Sequence, residues 1–203
     1  AVLGTEFSQN LLKDERSWHM KLSESDLEGL PDFLIDAAKM AATEKKLEGP
    51  VITLSRSLIV PFLQFSPRRD LRESAYKAWA ARGANGGDTD NRNLAREILE
   101  LRQEMTGLLG YKDFASFKLE TEMAKTPENV RQLLNDVWRP AKAQADKDAT
   151  VLAQMMYEDG LNMDLEKWDW RYFAEKRRKA EHDFDEAIVK PFFQLDQMIN
   201  AAF

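Results

Sequence analysis

Thr126-Pro127-Glu128-Asn129-Val130-Arg131-Gln132-Leu133-Leu134-Asn135-Asp136-Val137-Trp138-Arg139-Pro140-Ala141 is the stretch that decides how this chain is read. Thr126-Pro127 is a helix start: proline at the first helical position lacks an amide that would have no intrahelical acceptor anyway. Val130, Leu133, Leu134, Val137, Trp138 and Ala141 then recur at the spacing of one helix face. The charged run after Ala141 carries the pattern on to about Asp159, and Gly160 ends it. Pro140 sits in the middle, where it removes an amide donor and crowds the preceding turn, so a kink or break is expected near Arg139.

Working outward, the same grammar recurs. Ser25-Asp26-Leu27-Glu28 has the form of a capping box, closed by Gly29. Pro31 opens a helix with an apolar face of Phe33, Leu34, Ala37, Ala38 and Ala41, expected to close near Gly49. Ser66-Pro67 precedes Leu71, Ala75, Ala78 and Trp79. Leu94, Ile98, Leu101, Met105 and Leu108 form a further stripe, ended by Gly107 and Gly110. A helical pattern is under way by Leu3, Phe7 and Leu11, and the chain closes on the stripe Leu195, Met198, Ile199, Ala202 and Phe203, which reads as a cut through a continuing helix. Val51-Ile52-Thr53-Leu54 is the only stretch that reads as a strand, expected to pair outside these residues or to be merely extended. Ala84-Asn85-Gly86-Gly87-Asp88-Thr89-Asp90 is a flexible loop, read as a surface loop or as a joint between subdomains. The fold expected is an all-α, multi-helix scaffold with at most one short strand.

Composition narrows the function. The 203 residues carry 29 basic and 35 acidic side chains, a net charge of −6, which argues against a nucleic-acid surface. No apolar run is long enough to span a bilayer. Cysteine is absent, which excludes disulfides, thiol catalysis and zinc-thiolate sites and suits a reducing, cytoplasmic setting.

Candidate chemistry is thin. Only two histidines exist, His19 and His182. His182 has Asp185 at i+3 and Glu186 at i+4, a spacing that metal ligands on a helix use, but the run from Glu175 to Asp183 reads as a solvated charged face. Ser55, Ser57 and Ser66 lack a nucleophile elbow. Gly83, Gly86 and Gly87 are followed by acids that would repel phosphate. Asp88-Thr89-Asp90-Asn91 starts like a calcium loop but lacks the glycine and terminal glutamate of an EF-hand. Arg68-Arg69 and Arg177-Arg178 read as helix-end charges paired with nearby acids. Trp168, Trp170, Tyr172, Phe173, Phe184, Phe192 and Phe193 form an aromatic patch, read as core or as an interface.

Several blocks, in order, resemble a known family. Phe7-Ser8-Gln9-Asn10 precedes Leu27-Glu28-Gly29-Leu30-Pro31. Val51-Ile52-Thr53-Leu54 follows with Pro61 and Arg69-Asp70-Leu71-Arg72-Glu73, then Leu108-Leu109-Gly110-Tyr111 and Met123-Ala124-Lys125-Thr126-Pro127. Trp168-Asp169-Trp170-Arg171-Tyr172 and Pro191-Phe192-Phe193-Gln194-Leu195 close the series. Together they resemble the helical region ahead of the active site in the zinc oligopeptidases, the family of thimet oligopeptidase, oligopeptidase A and the bacterial peptidyl-dipeptidases, the last branch being the most similar in these blocks.

The resemblance implies a helical protein with a deep channel that admits short peptides. A zinc on a His-Glu-x-x-His helix activates water, that helix's Glu is the general base, and a later Tyr and His assist the oxyanion. All those positions would lie beyond Phe203. Residues 1–203 then read as a helical fragment of a larger peptidase, a channel wall inactive by itself, with the loop 83–90 as a candidate joint. No catalytic, cofactor-binding or metal residue is assigned to this chain. The partners implied are short peptides for the parent enzyme, the downstream catalytic half of the same polypeptide, and self-association through exposed apolar surface. The competing reading is a free-standing helical interaction module on the same scaffold.

Overall fold

A computed structural model describes residues 2–182 and 192–202. The described elements are α1 (Val2–Ser17), β1 (His19–Lys21), a short 3-10 helix (Glu24–Leu27), α2 (Asp32–Glu44), β2 (Val51–Thr53), α3 (Arg56–Phe65), α4 (Arg69–Ala80), α5 (Arg92–Leu108), α6 (Phe114–Leu119), α7 (Pro127–Glu158), α8 (Trp170–His182) and α9 (Leu195–Ala202). The all-α class holds. The chain divides into two compact units, Ala1–Ser17 with Ala81–Val151, and Trp18–Ala80 with Leu152–Phe203.

The second unit holds the hydrophobic core. Its centre is Leu34, Ala38, Val51, Ile52, Leu58, Ile59, Phe62, Leu63 and Ala75, drawn from α2, β2, α3 and α4. The faces read from Pro31 and Ser66-Pro67 are the ones buried: Leu34, Ala38 and Ala41 in α2, and Ala75 in α4. A smaller cluster joins Leu152 and Met156 at the end of α7 to Phe173 of α8.

Val51–Thr53 is a strand, but not the only one: it pairs antiparallel with His19–Lys21, with Met20 opposite Ile52. His-Met-Lys carries no β-branched signal. It becomes a strand because β2 is buried on all three residues and its amides and carbonyls need a partner.

Three local readings also shift. The capping interaction starts at Ser23, not Ser25: the Asp26 carboxylate accepts from the Ser23 amide at 2.9 Å and its hydroxyl at 2.7 Å. Helix α2 ends at Glu44 rather than near Gly49. Lys46 takes the left-handed turn there (φ 57°), and the Leu47 amide reaches back to the Ala42 carbonyl at 2.9 Å. And α7 runs unbroken through Pro140. The surrounding surface, Arg131 to Ala141, is exposed, so water can take the carbonyl that Pro140 cannot serve.

The first unit is built differently. Helix α1 packs on α5, and α5 on α6. Its buried residues include Asn10, Asp14, Asn91 and Thr106, whereas every buried hydrophobic side chain among the described residues belongs to the second unit. The stripe of α7 is uncovered: Leu133, Leu134, Val137 and Trp138 are each more than half exposed.

Candidate functional site

Two polar centres and one cleft stand out, each within a single unit. The first centre lies in the second unit. Asp169 precedes α8 and caps it, its carbonyl accepting the Phe173 amide at 3.0 Å. Its carboxylate is fully buried and takes Arg69 through Nε and Nη2 (3.1 and 2.9 Å), Arg72 through Nη2 at 2.9 Å, and the Glu166 amide at 3.1 Å. Arg72 is as deeply buried, and spends its other donors on the carbonyls of Trp168 (3.1 Å) and Ser66 (2.7 Å). Its guanidinium lies 4.2 Å from the centre of the Tyr172 ring. Burial pushes the Arg72 pKa down, against the support of Asp169. Around Trp168 sit Tyr76, Arg69 and Lys77, and its buried Nε1 has no hydrogen-bond partner among the described residues.

Beside this centre is an open cleft of about 410 Å³. Leu30, Pro31, Phe65 and Tyr172 supply apolar lining, and Lys179 and Lys176, the latter paired with Asp159, add basic side chains. Glu175 also lines it, but its carboxylate is engaged by Gln64 at 2.9 Å and Arg178 at 2.8 Å. Such a lining can hold a ligand against an apolar surface.

The second centre is in the first unit, where the loop after α4 wraps Asp14. The carboxylate accepts from the Gly83 amide at 2.7 Å, from Asn85 Nδ2 at 3.2 Å and from the Thr89 hydroxyl. Burial alone would raise its pKa, but those hydrogen bonds and the nearby Arg82 charge outweigh it and hold the group below the usual carboxylate range. Gly83 has φ +69°, and a Cβ there would come within 2.9 Å of Leu11. Asn91 closes the loop, donating to the Phe7 carbonyl and accepting from Asn10, both at 2.9 Å.

The residues singled out in the sequence fall elsewhere. His19 is exposed at the start of β1, and His182 is the last residue of α8; Asp185, Glu186 and Phe184 lie outside the described residues. Among the described residues no group of three His, Asp or Glu side chains is placed to hold a metal. Ser55 and Ser57 hydrogen-bond each other at 3.3 Å, and Ser66 is buried. Thr89, Asp90 and Asn91 turn toward Asp14, Arg92 and Asn10, so the calcium-like stretch points its oxygens into protein contacts. Arg177 and Arg178 pair locally with Glu181 and Glu175, as read, and Arg68 with Asp70 and Asp26. Arg69 does not: its partner is a hundred positions away. Of the aromatic patch, Phe173 is core, whereas Phe192 and Phe193 are exposed.

The described residues form a helical scaffold held by two buried polar struts, around Asp169 and around Asp14. Residues 62–202 match Peptidase family M3, and the chain belongs to that family. It is 32% identical to oligopeptidase A of Escherichia coli (strain K12) over 99% of its own length and 30% of that protein. It is similarly 32% identical to the probable cytosolic oligopeptidase A of Arabidopsis thaliana, and 28% identical to the dipeptidyl carboxypeptidase of Escherichia coli, across 99% and 98% of its length and 30% of each relative. The identity is thus higher to these oligopeptidases A than to the dipeptidyl carboxypeptidase, although the sequence blocks suggested the peptidyl-dipeptidase branch. The chain spans about 30% of the length of these relatives.

Proposed function

We propose that this chain is a scaffold portion of an M3 peptidase whose peptide-hydrolysing centre, with its zinc, is built by residues outside residues 1–203. The observation that carries this reading is the distribution of hydrophobic burial. Among the described residues the first unit buries no hydrophobic side chain, while α7 shows an uncovered apolar stripe and α9 exposes Leu195, Met198 and Ile199. A stripe of that kind is a packing face awaiting a partner. Collinear similarity to relatives of which the chain covers about 30% supplies a candidate partner, the remainder of the same polypeptide. The donor set here does not fit zinc: cysteine is absent and the two histidines stand apart in sequence. Short peptides are then the substrates of the whole protein, in keeping with the names of its relatives, and a cytosolic setting follows the name of one of them.

The test has two arms. The purified chain should retain no stoichiometric zinc after dialysis and should not cleave a quenched oligopeptide, whereas the polypeptide extended past Phe203 should do both. Sedimentation should show the isolated chain associating, because fully burying each large apolar side chain is worth roughly 1.5–3 kcal/mol. Tight zinc binding by the isolated chain would overturn the assignment. A monodisperse monomer without an exposed apolar surface would favour the free-standing interaction module.

A further inference from the structure

Asn85 is the one asparagine of this sequence that is followed by glycine. Both Asn85 and Gly86 are exposed, in a loop outside any helix. Gly86 has φ +78°, and there is open space where a Cβ would stand. That pair is the chemical setting in which a backbone amide can attack the preceding side chain, since glycine presents no Cβ to hinder ring closure. The side chain at risk also has a structural task. Asn85 Nδ2 donates to the buried Asp14 carboxylate at 3.2 Å, while its Oδ1 accepts from the Gly87 amide at 3.1 Å.

We infer that Asn85-Gly86 is a self-modifying site, and that its deamidation loosens the loop's hold on Asp14. The Gly86 backbone nitrogen gives up its proton and bonds to Cγ of Asn85, and the Cγ–Nδ2 bond breaks to release ammonia. The resulting succinimide is opened by water at either carbonyl, leaving aspartate or isoaspartate; no oxidant or other co-reactant is needed. In the structure the Gly86 amide is engaged by Asp90 Oδ2 at 2.9 Å, so that contact must open before attack. Asp90 is therefore a restraint on the reaction.

The consequence follows from what faces residue 85. A donor to Asp14 becomes a carboxylate beside a carboxylate, and a hydrogen bond becomes like-charge repulsion. Asp14 keeps the Gly83 amide, the Thr89 hydroxyl and the nearby Arg82 charge, but the loop loses one of its ties to α1. Asparagine is among the thermolabile residues, so the change accumulates with age and heat.

The experiment is peptide mapping by mass spectrometry after incubating the purified chain at mildly alkaline pH. The peptide carrying Asn85 should convert first and fastest among the asparagine peptides, exchanging NH for O and splitting into aspartate and isoaspartate forms. Asp90→Ala should convert faster still, and Asn85→Gln should remain unconverted. In the Asn85→Asp variant, hydrogen exchange at the Gly83 amide should quicken on the order of tenfold. Conversion of Asn85 no faster than that of the other asparagines would overturn the site. Unchanged Gly83 exchange in Asn85→Asp would overturn the consequence, and an unaltered rate in Asp90→Ala would overturn the restraint.

Discussion

The carboxylate of Asp14 and the amide of Gly83 are 69 positions apart in sequence and 2.7 Å apart in space. This contact fixes where the chain re-enters the first unit after α4. Gly83 is itself buried, so without Asp14 its amide would be left without an acceptor.

Asp14→Ala should therefore destabilise the first unit by roughly 1–3 kcal/mol, since the buried Gly83 amide loses a charged acceptor, whereas the exposed Asn85 and half-buried Thr89 can turn to water. Asp14→Asn should cost less, because its amide oxygen still accepts one bond. Urea unfolding followed by a probe in the loop 83–91 reads both, and a loss below about 0.5 kcal/mol would place Asp14 with ordinary surface positions.

Acid should act through the same residue. The Asp14 pKa is depressed in the folded state, so its contribution is fully present above the ordinary carboxylate value and fades as pH falls through the lower folded value. Stability measured against pH should fall on the acid side, and Asp14→Asn should flatten that limb. An equally steep acid limb in the variant would assign the effect to other carboxylates.

In the second unit, Asp169→Ala should cost about 3–5 kcal/mol, because it leaves the buried Arg72 charge unpaired. Arg72→Met in the Asp169→Ala background should recover much of that loss, and the double-mutant cycle should show strong coupling. Additive single effects would show that the pair does not interact as the geometry implies.

Pro140→Ala should stabilise α7. Proline in a helix interior costs about 3 kcal/mol relative to alanine, and a part of that, about 0.4–1 kcal/mol, is returned through the freer unfolded chain. The surface around Pro140 is exposed, so no packing is lost in the exchange. Increased ellipticity and thermal stability are the expected readings; a decrease would mean that the proline serves a contact made by the helix elsewhere.

What the sequence discloses is local. Thr126-Pro127 placed the start of α7, where the Asn129 amide does donate to Thr126 Oγ1 at 3.3 Å, and Gly110 does turn left-handed just past α5. The stripe Leu34, Ala38, Ala41 became core because helix period and burial speak the same language. What stayed hidden was decided at long range. Lys46 adopts a glycine's conformation because neighbouring carbonyls reward it, His19–Lys21 becomes a strand because β2 needs a neighbour, and Arg69 finds Asp169 rather than an acid beside it. Asp14 and Asp169 read as two more charges among 35 acids; only tertiary contacts separate a strut from a solvated surface.

The pairing of Arg72 with Asp169 has a consequence for how the protein is made. On the ribosome, Arg72 emerges 97 positions before the carboxylate that neutralises it. At about 5–20 residues per second, the nascent chain spends on the order of 5–20 s with that guanidinium lacking the carboxylate it is buried against in the finished fold. The whole of Ala81–Val151 is translated during this interval. A translational stall there would prolong the time for which a charge buried in the finished fold has no counter-charge.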